Sequence, residues 1–251
     1  MIGIYKPIQN EIFHVHTWRC KHASDEEDFC YIEKAIELGA PRIVFTDHAP
    51  FPGNPFRNRM DMEQLSEYNG SMKQLKREYV GKIEILLGLE IEYLPTFHDY
   101  IKELHDSGDF DLLILGQHFY ENEDGTWSFL NQDKYSEFKG ISTATVQGIE
   151  TGFFDVVAHP DRAFRRCKEW NAELMRASYD MIDAAKEQGV FLEKNYSSME
   201  RKGQYWEAFW VRAALLPQIE GYDAHSIEEM EKRWMKHKTV ITQEEIINLL
   251  S

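Results

Sequence analysis

Cysteine is scarce in this chain: Cys20, Cys30 and Cys167 are the only three in 251 residues. Three scattered thiols build no disulfide framework, and without a CxxC pair they offer no zinc ribbon, which fits free thiols in a reducing compartment. Positive charge is also short. With 28 Lys and Arg against 43 Asp and Glu, the formal charge is −15. That balance argues against a protein that reads a nucleic-acid backbone, because such affinity comes from clustered Lys and Arg. Any phosphate substrate must then be drawn in by a local positive centre. No stretch of about 18 apolar residues offers a membrane span. The opening MIGIYKPIQNEIF lacks the charged head, apolar run and cleavage site of a secretory signal, so the expected location is the cytoplasm. Internal repeats, low-complexity tracts and dividing linkers are missing too, and one domain over residues 1–251 is expected.

What is present is a globular composition, 43% hydrophobic and 13% aromatic, in a length ordinary for an α/β barrel of roughly 250 residues. Short apolar runs alternate with longer amphipathic ones, the signature of repeated βα units around a parallel sheet. Strands are expected near Ile12 to His14, Arg42 to Thr46, Ile83 to Glu90, Asp111 to Gly116, Asp155 to Ala158, Gly189 to Glu193 and Gln218 to Tyr222. Helices are expected over Asp25 to Leu38, Asp61 to Tyr79, Thr96 to His105, Lys134 to Glu150, Ala172 to Glu187 and Tyr205 to Leu215, with polar helices in Ser226 to Ser251 closing the barrel. Gly39, Gly81 and Gly189 sit where such helices stop. Two long loops, Ala49 to Arg59 and the acidic Tyr120 to Asp133 around Trp127, each follow a strand. Both should therefore lie over the same end of the barrel, as substrate covers or as plain surface.

Metal-ligand residue types fall at the strand ends. His14 and His16 end the first strand, His48 the second, Glu90 the third, His118 the fourth, His159 the fifth, and Asp223 with His225 the seventh; His22 follows His16 in the same loop. Parallel strands of a barrel deliver their C-termini to one mouth, so these residues converge there. Imidazole and carboxylate ligands suit zinc, manganese or iron. One metal needs three or four protein ligands, so these nine candidates argue for two or three divalent ions with a bridging carboxylate. Glu90 and Glu92 point to the same face of a strand, and either is placed to bridge. A lone histidine is more often structural than a ligand, but seven of the ten follow expected strands. His98, His105 and His237 fall elsewhere and are expected to be structural.

The segments His14-Val-His16-Thr17-Trp-Arg-Cys20-Lys-His22, Thr46-Asp47-His48, Gly88-Leu-Glu90, Gly116-Gln-His118, His159-Pro160-Asp161 and Asp223-Ala224-His225 resemble the polymerase-and-histidinol-phosphatase (PHP) superfamily. The HxHTxxCxH opening is similar to its histidinol-phosphatase branch. The resemblance spans nearly the whole chain in order, and it implies a distorted (β/α)7 TIM-like barrel with three divalent metal ions at the C-terminal ends of the strands. It implies one metal on His14, His16, Glu90 and Asp223, a second on Glu90, His118 and His159, and a third on His22, His48 and His225. The preference for Glu90 over Glu92 rests on it. Arg162 looks like the family's phosphate-binding arginine, a guanidinium fork matched to phosphate oxygens. Arg201, with Lys202 close behind, is the expected second cation.

The resemblance implies a metal-dependent phosphatase of small phosphate monoesters, with L-histidinol phosphate, a compound of histidine biosynthesis, the first substrate to test. The catalytic machinery would be Glu90, Asp223 and Arg162. A carboxylate is expected near the substrate amine, from Asp161, Glu121 or Glu123, though Asp161 also fits a role orienting a ligand histidine. Other readings are a phosphatase of sugar phosphates or nucleotides, a nuclease or phosphodiesterase, which the acidic balance disfavours, and a non-catalytic metal-binding module. The ligand types alone also suit a binuclear amidohydrolase. A small-molecule ester is the expected partner, with no nucleic acid and no membrane.

Overall fold

The computed structural model describes residues 5–134, 136–167, 169–200 and 204–237. Seven parallel strands pair in sequence order: β1 Ile12–Val15, β2 Arg42–His48, β3 Glu84–Ile91, β4 Leu112–Leu115, β5 Val156–Val157, β6 Phe191–Asn195 and β7 Gln218–Gly221. The last strand returns to the first. Tyr222 N donates to Phe13 O at 2.8 Å, His16 N donates to Ala224 O at 2.9 Å, and Val15 bridges Ala224 in parallel, so the sheet forms a nearly closed barrel.

The residues explain the two layers. Along β4, Leu112 and Ile114 face the barrel interior with Phe13, Val44, Val156 and Ile219, while Leu113 and Leu115 face the helices. This period of two is what a strand buried on both faces requires. At the N-terminal end of the barrel, Tyr5 packs into the interior cluster and bonds Glu11, whose carboxylate also accepts from Arg42 at 3.0 Å.

Helices α1 Asp28–Leu38, α2 Met62–Glu78, α3 His98–Asp106, α4 Glu137–Glu150, α5 Ala172–Gln188, α6 Tyr196–Met199 and α7 Gln204–Arg212 lie between strands. Gly39 and Gly189 cap α1 and α5 at φ 79° and 70°, a conformation that costs glycine little. Asp61 and Gln64 close a capping box on α2, and Asn171 caps α5. The expected Thr96 to His105 helix resolves into a 3-10 turn, Pro95–Phe97, and then α3, while the end of the expected Tyr205 to Leu215 helix tightens into the turn Ala213–Leu215. The helix expected from Lys134 starts at Glu137, and that from Asp25 starts at Asp28. Residues 227–237 are helical; the rest of the expected C-terminal helices lies outside the described residues. No helix among the described residues is long and apolar enough to cross a membrane.

Candidate metal centre

The strand ends do converge. Glu90, at the end of β3, is 1% exposed and stands at the middle of a ring of imidazoles. Its Oε2 lies 3.2 Å from His14 Nε2, 3.3 Å from His16 Nε2 and 3.2 Å from His48 Nδ1. Its Oε1 lies 2.8 Å from His159 Nε2 and 3.7 Å from His118 Nε2. Asp223 Oδ1 approaches His16 Nε2 at 3.5 Å and His14 Nε2 at 3.8 Å. On the outer side, His22, His48 and His225 form a third cluster, with ring centroids of His22 and His225 4.5 Å apart. Donor atoms of His14, His16 and Asp223, of Glu90, His118 and His159, and of His22, His48 and His225 each lie within 4.8 Å of one another.

Backbone strain is concentrated here. His14, His159 and Asp223 adopt positive φ of 70°, 35° and 50°, where a side chain costs about 1–3 kcal/mol. His14 marks the register shift between Phe13 and Val15, as a bulge re-aims a side chain at a barrel rim. His159 ends the short β5 and starts the 3-10 turn Pro160–Phe164 that carries Arg162. Arg233 donates to the carbonyls of Tyr222 and Asp223 at 2.5 and 2.7 Å, holding the turn that presents Asp223.

The donor set fits cations. Neither ring nitrogen of buried His16 makes a hydrogen bond, nor do His48 Nδ1 and His225 Nε2. Several apposed imidazoles with unused nitrogens inside a protein are costly unless something positive binds them. Burial, reinforced by the Arg162 charge, lowers His159 to about 4; burial, reinforced by His16, lowers His225 to about 3. Burial also holds His48 well below its ordinary value. His159, His225 and His48 are thus neutral at pH 7, as ligands must be, whereas against the effect of burial Glu193 and Glu90 raise His14, and Asp223 and Glu90 raise His16, so a cation has to displace protons from those two rings. For Glu90, burial favours the protonated acid, but His48, His14 and His118 outweigh it and keep the carboxylate ionised. Asp223 is likewise held low against burial, chiefly by Arg162.

Two carboxylates outside the donor ring aim its histidines. Glu92 accepts two bonds from Arg59, at 2.9 and 3.1 Å, and one from His118 Nδ1 at 2.9 Å. Glu92 is thus taken up by these partners, and Glu90 alone faces the ring. Glu193, at 0% exposure, holds His14 Nδ1 at 2.6 Å and accepts from His159 N at 2.7 Å. Sequence reasoning passed over Glu193 and Arg59. The signal for Glu193 was a carboxylate at the end of the sixth strand, the one strand left without a site residue. A carboxylate behind a ligand histidine fixes its tautomer and angle. Asn195 Nδ2 donates to Glu193 as well, at 3.3 Å, so Glu193→Gln keeps one acceptor oxygen for three donors and is expected to weaken metal retention about 10–100-fold, measured by chelator competition with metal counting.

The expectation that Asp161, Glu121 or Glu123 meets a substrate amine is not supported by their positions. Asp161 is wholly buried, where burial raises it to about 6, and its oxygens bond none of the histidines. That also removes it as the group orienting a ligand. Glu121 is engaged by Thr96 N and Oγ1, at 3.2 and 2.5 Å, and exposed Glu123 lies in the turn between Glu121 and Trp127. Arg201 and Lys202 lie outside the described residues. Arg162 is at the centre: its guanidinium donates to His118 Nε2 at 2.8 Å and to Asp223 Oδ2 at 2.7 Å. His98, His105 and His237 bond Tyr93, Asp106 and Glu220, away from the ring.

Above the ring opens a cavity of about 580 Å³ lined by His22, His48, His118, Arg162, Asp223 and His225 together with both long loops. The loop from Ala49 brings Phe56 and that from Tyr120 brings Phe129, with ring centroids 6.3 Å apart, and Trp127 packs on Phe56 at 4.9 Å. The two loops therefore cover the same mouth, joined by aromatic contacts.

Comparison with known proteins fits this arrangement. Residues 13–197 match the model of the PHP domain family. A Deinococcus radiodurans protein named "Probable histidinol-phosphatase" is 28% identical over 238 residues, 88% of each chain. The histidinol-phosphatase of Bacillus subtilis is 34% identical over 139 residues, 52% of this chain and 51% of that one. Among solved structures, histidinol phosphate phosphatase from Lactococcus lactis, complexed with zinc, L-histidinol and phosphate, superposes with a TM-score of 0.73 at 22% identity over 93% of each chain; that likeness speaks to the fold. With its motif histidines gathered at one barrel mouth and most of its length matched, the chain belongs to the PHP domain family.

Proposed function

We propose that this protein is a metal-dependent phosphatase that hydrolyses L-histidinol phosphate to L-histidinol and phosphate. The observation that carries the reading is the triple donor cluster around Glu90 with Arg162 across it. Relatives of 28% and 34% identity named as histidinol-phosphatases point to the substrate. We assign His14, His16, Glu90 and Asp223 to one cation, Glu90, His118 and His159 to a second, and His22, His48 and His225 to a third. The nitrogen-rich set suits zinc, manganese or iron. Divalent cations there lower the pKa of water from about 15.7 to about 7 and take up charge on the phosphoryl oxygens.

The chain's own residues do the rest. Glu90 and Asp223, both ionised, fix the positive charge at the mouth of a protein whose formal charge is −15. Arg162 reaches two of the three donor groups, so its fork is in range of a phosphate bound among them. With His118 and Asp223 occupied, its hydrogen bonds go to phosphoryl oxygens, where a fixed cation is worth most in a water-poor site. Phe56, Phe119 and Phe129 line the same cavity and give an imidazole-bearing leaving group aromatic faces to pack on. The acidic charge and sparse thiols support a cytoplasmic enzyme of small esters.

Arg162→Ala removes about two charge-assisted hydrogen bonds and is expected to raise the KM for histidinol phosphate about 10–100-fold while metal content stays near wild type. Steady-state kinetics beside metal analysis reads both. The function itself is tested by phosphate release from histidinol phosphate, a panel of small monoesters and one dinucleotide, using protein whose metals have been counted. Selective turnover of histidinol phosphate is the expected result; a fully loaded protein inert to the whole panel overturns it.

A further inference from the structure

A second cavity of about 510 Å³ adjoins the metal mouth and shares Arg162 and His118 with it. Its walls carry Lys134, Arg162, Arg165 and Arg166 against a single carboxylate, Glu137. Four cations to one acid is the reverse of the whole chain's 28 to 43. The cations are also held in place. Buried Glu137 accepts from Lys134 Nζ at 3.0 Å through one oxygen and from Arg166 Nη1 at 2.5 Å through the other. Lys134 bonds the Ser128 carbonyl at 3.0 Å as well, and Arg165 donates to Ser197 Oγ at 2.7 Å. A carboxylate buried to organise two basic side chains around an open cavity makes little sense as a surface ion pair, which contributes about 0–1 kcal/mol. It makes sense as the frame of an anion site, since fixed guanidinium forks match phosphate oxygens without first being ordered.

We propose that this annex is a second, non-catalytic oxyanion site, specific for a phosphate dianion and joined to the metal centre by Arg162. The dianion has two sources: the phosphoryl end of an incoming ester, or inorganic phosphate leaving. A concentrated positive surface beside the mouth of an acidic protein raises the local concentration of either. Use of the annex in the reaction rests on the phosphatase reading given above; binding of phosphate does not.

Lys134→Gln and Arg166→Gln test it, each at a partly exposed side chain and each leaving Glu137 one cationic partner. Inorganic phosphate is titrated calorimetrically into the metal-loaded enzyme and into both variants, with metal content and thermal midpoint measured alongside. If the annex holds free phosphate, the wild type shows a binding event beyond the one at the metal centre, and both variants weaken it about tenfold. If it serves the ester, kcat/KM for histidinol phosphate falls in both variants by more than kcat does, and its decline with added salt becomes shallower. A single phosphate-binding event unaltered in folded, metal-loaded variants, with kcat/KM and its salt dependence unchanged, overturns the proposal. An enzyme that binds phosphate through the annex yet leaves histidinol phosphate intact keeps the annex and discards the substrate.

Discussion

Glu90→Ala is expected to strip metal from the protein and to lower kcat at least about a thousandfold. One oxygen of this carboxylate faces His14, His16 and His48 within 3.3 Å, and the other faces His159 at 2.8 Å and His118 at 3.7 Å. In this one substitution the second assigned donor group loses its only carboxylate and the first is left with Asp223 alone. In the second group, nitrogen donors without a carboxylate leave the charge of a dication uncompensated. Cations bring several kcal/mol of transition-state stabilisation, which sets the expected scale of the loss. Glu90→Gln separates charge from packing: it fills the same space among the five rings, so a fold intact by circular dichroism with metal still lost assigns the effect to charge. Metals per chain and phosphate release are measured together. Full metal content with wild-type turnover in Glu90→Ala would falsify the central role of this residue.

Much of this was legible in the sequence because strand ends and metal ligands obey simple geometry. Seven apolar runs with helical spacers fix a parallel sheet, a parallel sheet fixes a common C-terminal rim, and the histidines fell one after another at that rim. Two kinds of feature stayed hidden. The first is how side chains are divided among partners: Glu90 and Glu92 are both buried at 1% exposure, one near the end of β3 and one just past it, and their spacing alone places either at the ring. Only the position of Arg59, folded in from the loop after β2, draws Glu92 away from the ring, and no local pattern announces a contact across 33 residues. The same holds for Glu193, whose partner His14 is 179 residues distant. The second is the depth of a residue. Asp161 follows a ligand histidine and looks accessible in a His-Pro-Asp turn, but the 3-10 geometry after His159 turns it into the core and turns Arg162 to the mouth. The annex was invisible for a related reason, since Lys134 and Arg166 meet only because Glu137 at the start of α4 lies between them.

Gly116→Ala, a single methyl with no change of charge, is expected to lower activity at least about a hundredfold. A Cβ on Gly116 falls 2.0 Å from Glu90 Oε1, 2.4 Å from its Cγ and 2.5 Å from its Cδ, far inside any tolerated contact. One of the two must move by more than about 1 Å, and misplacement on that scale costs about 10²-fold in a positioned site. Glu90 has nowhere harmless to go, because it is 1% exposed and ringed by histidines. Strand β4 has little freedom either, with Leu112 to Leu115 wholly buried between the barrel interior and the helices. Gly221 stands in the same relation to Glu193, with a Cβ 1.5 Å from Oε1, so Gly221→Ala should act through His14. The control is Gly70→Ala in α2, where a Cβ meets nothing within 4 Å; it should leave turnover alone and add about 0.5–1 kcal/mol of stability. Metal content discriminates the causes. Gly116→Ala protein that folds, binds fewer metals and turns over slowly places the damage at the carboxylate, whereas normal metal and normal turnover mean that Glu90 has room and that the donor ring is set by other residues.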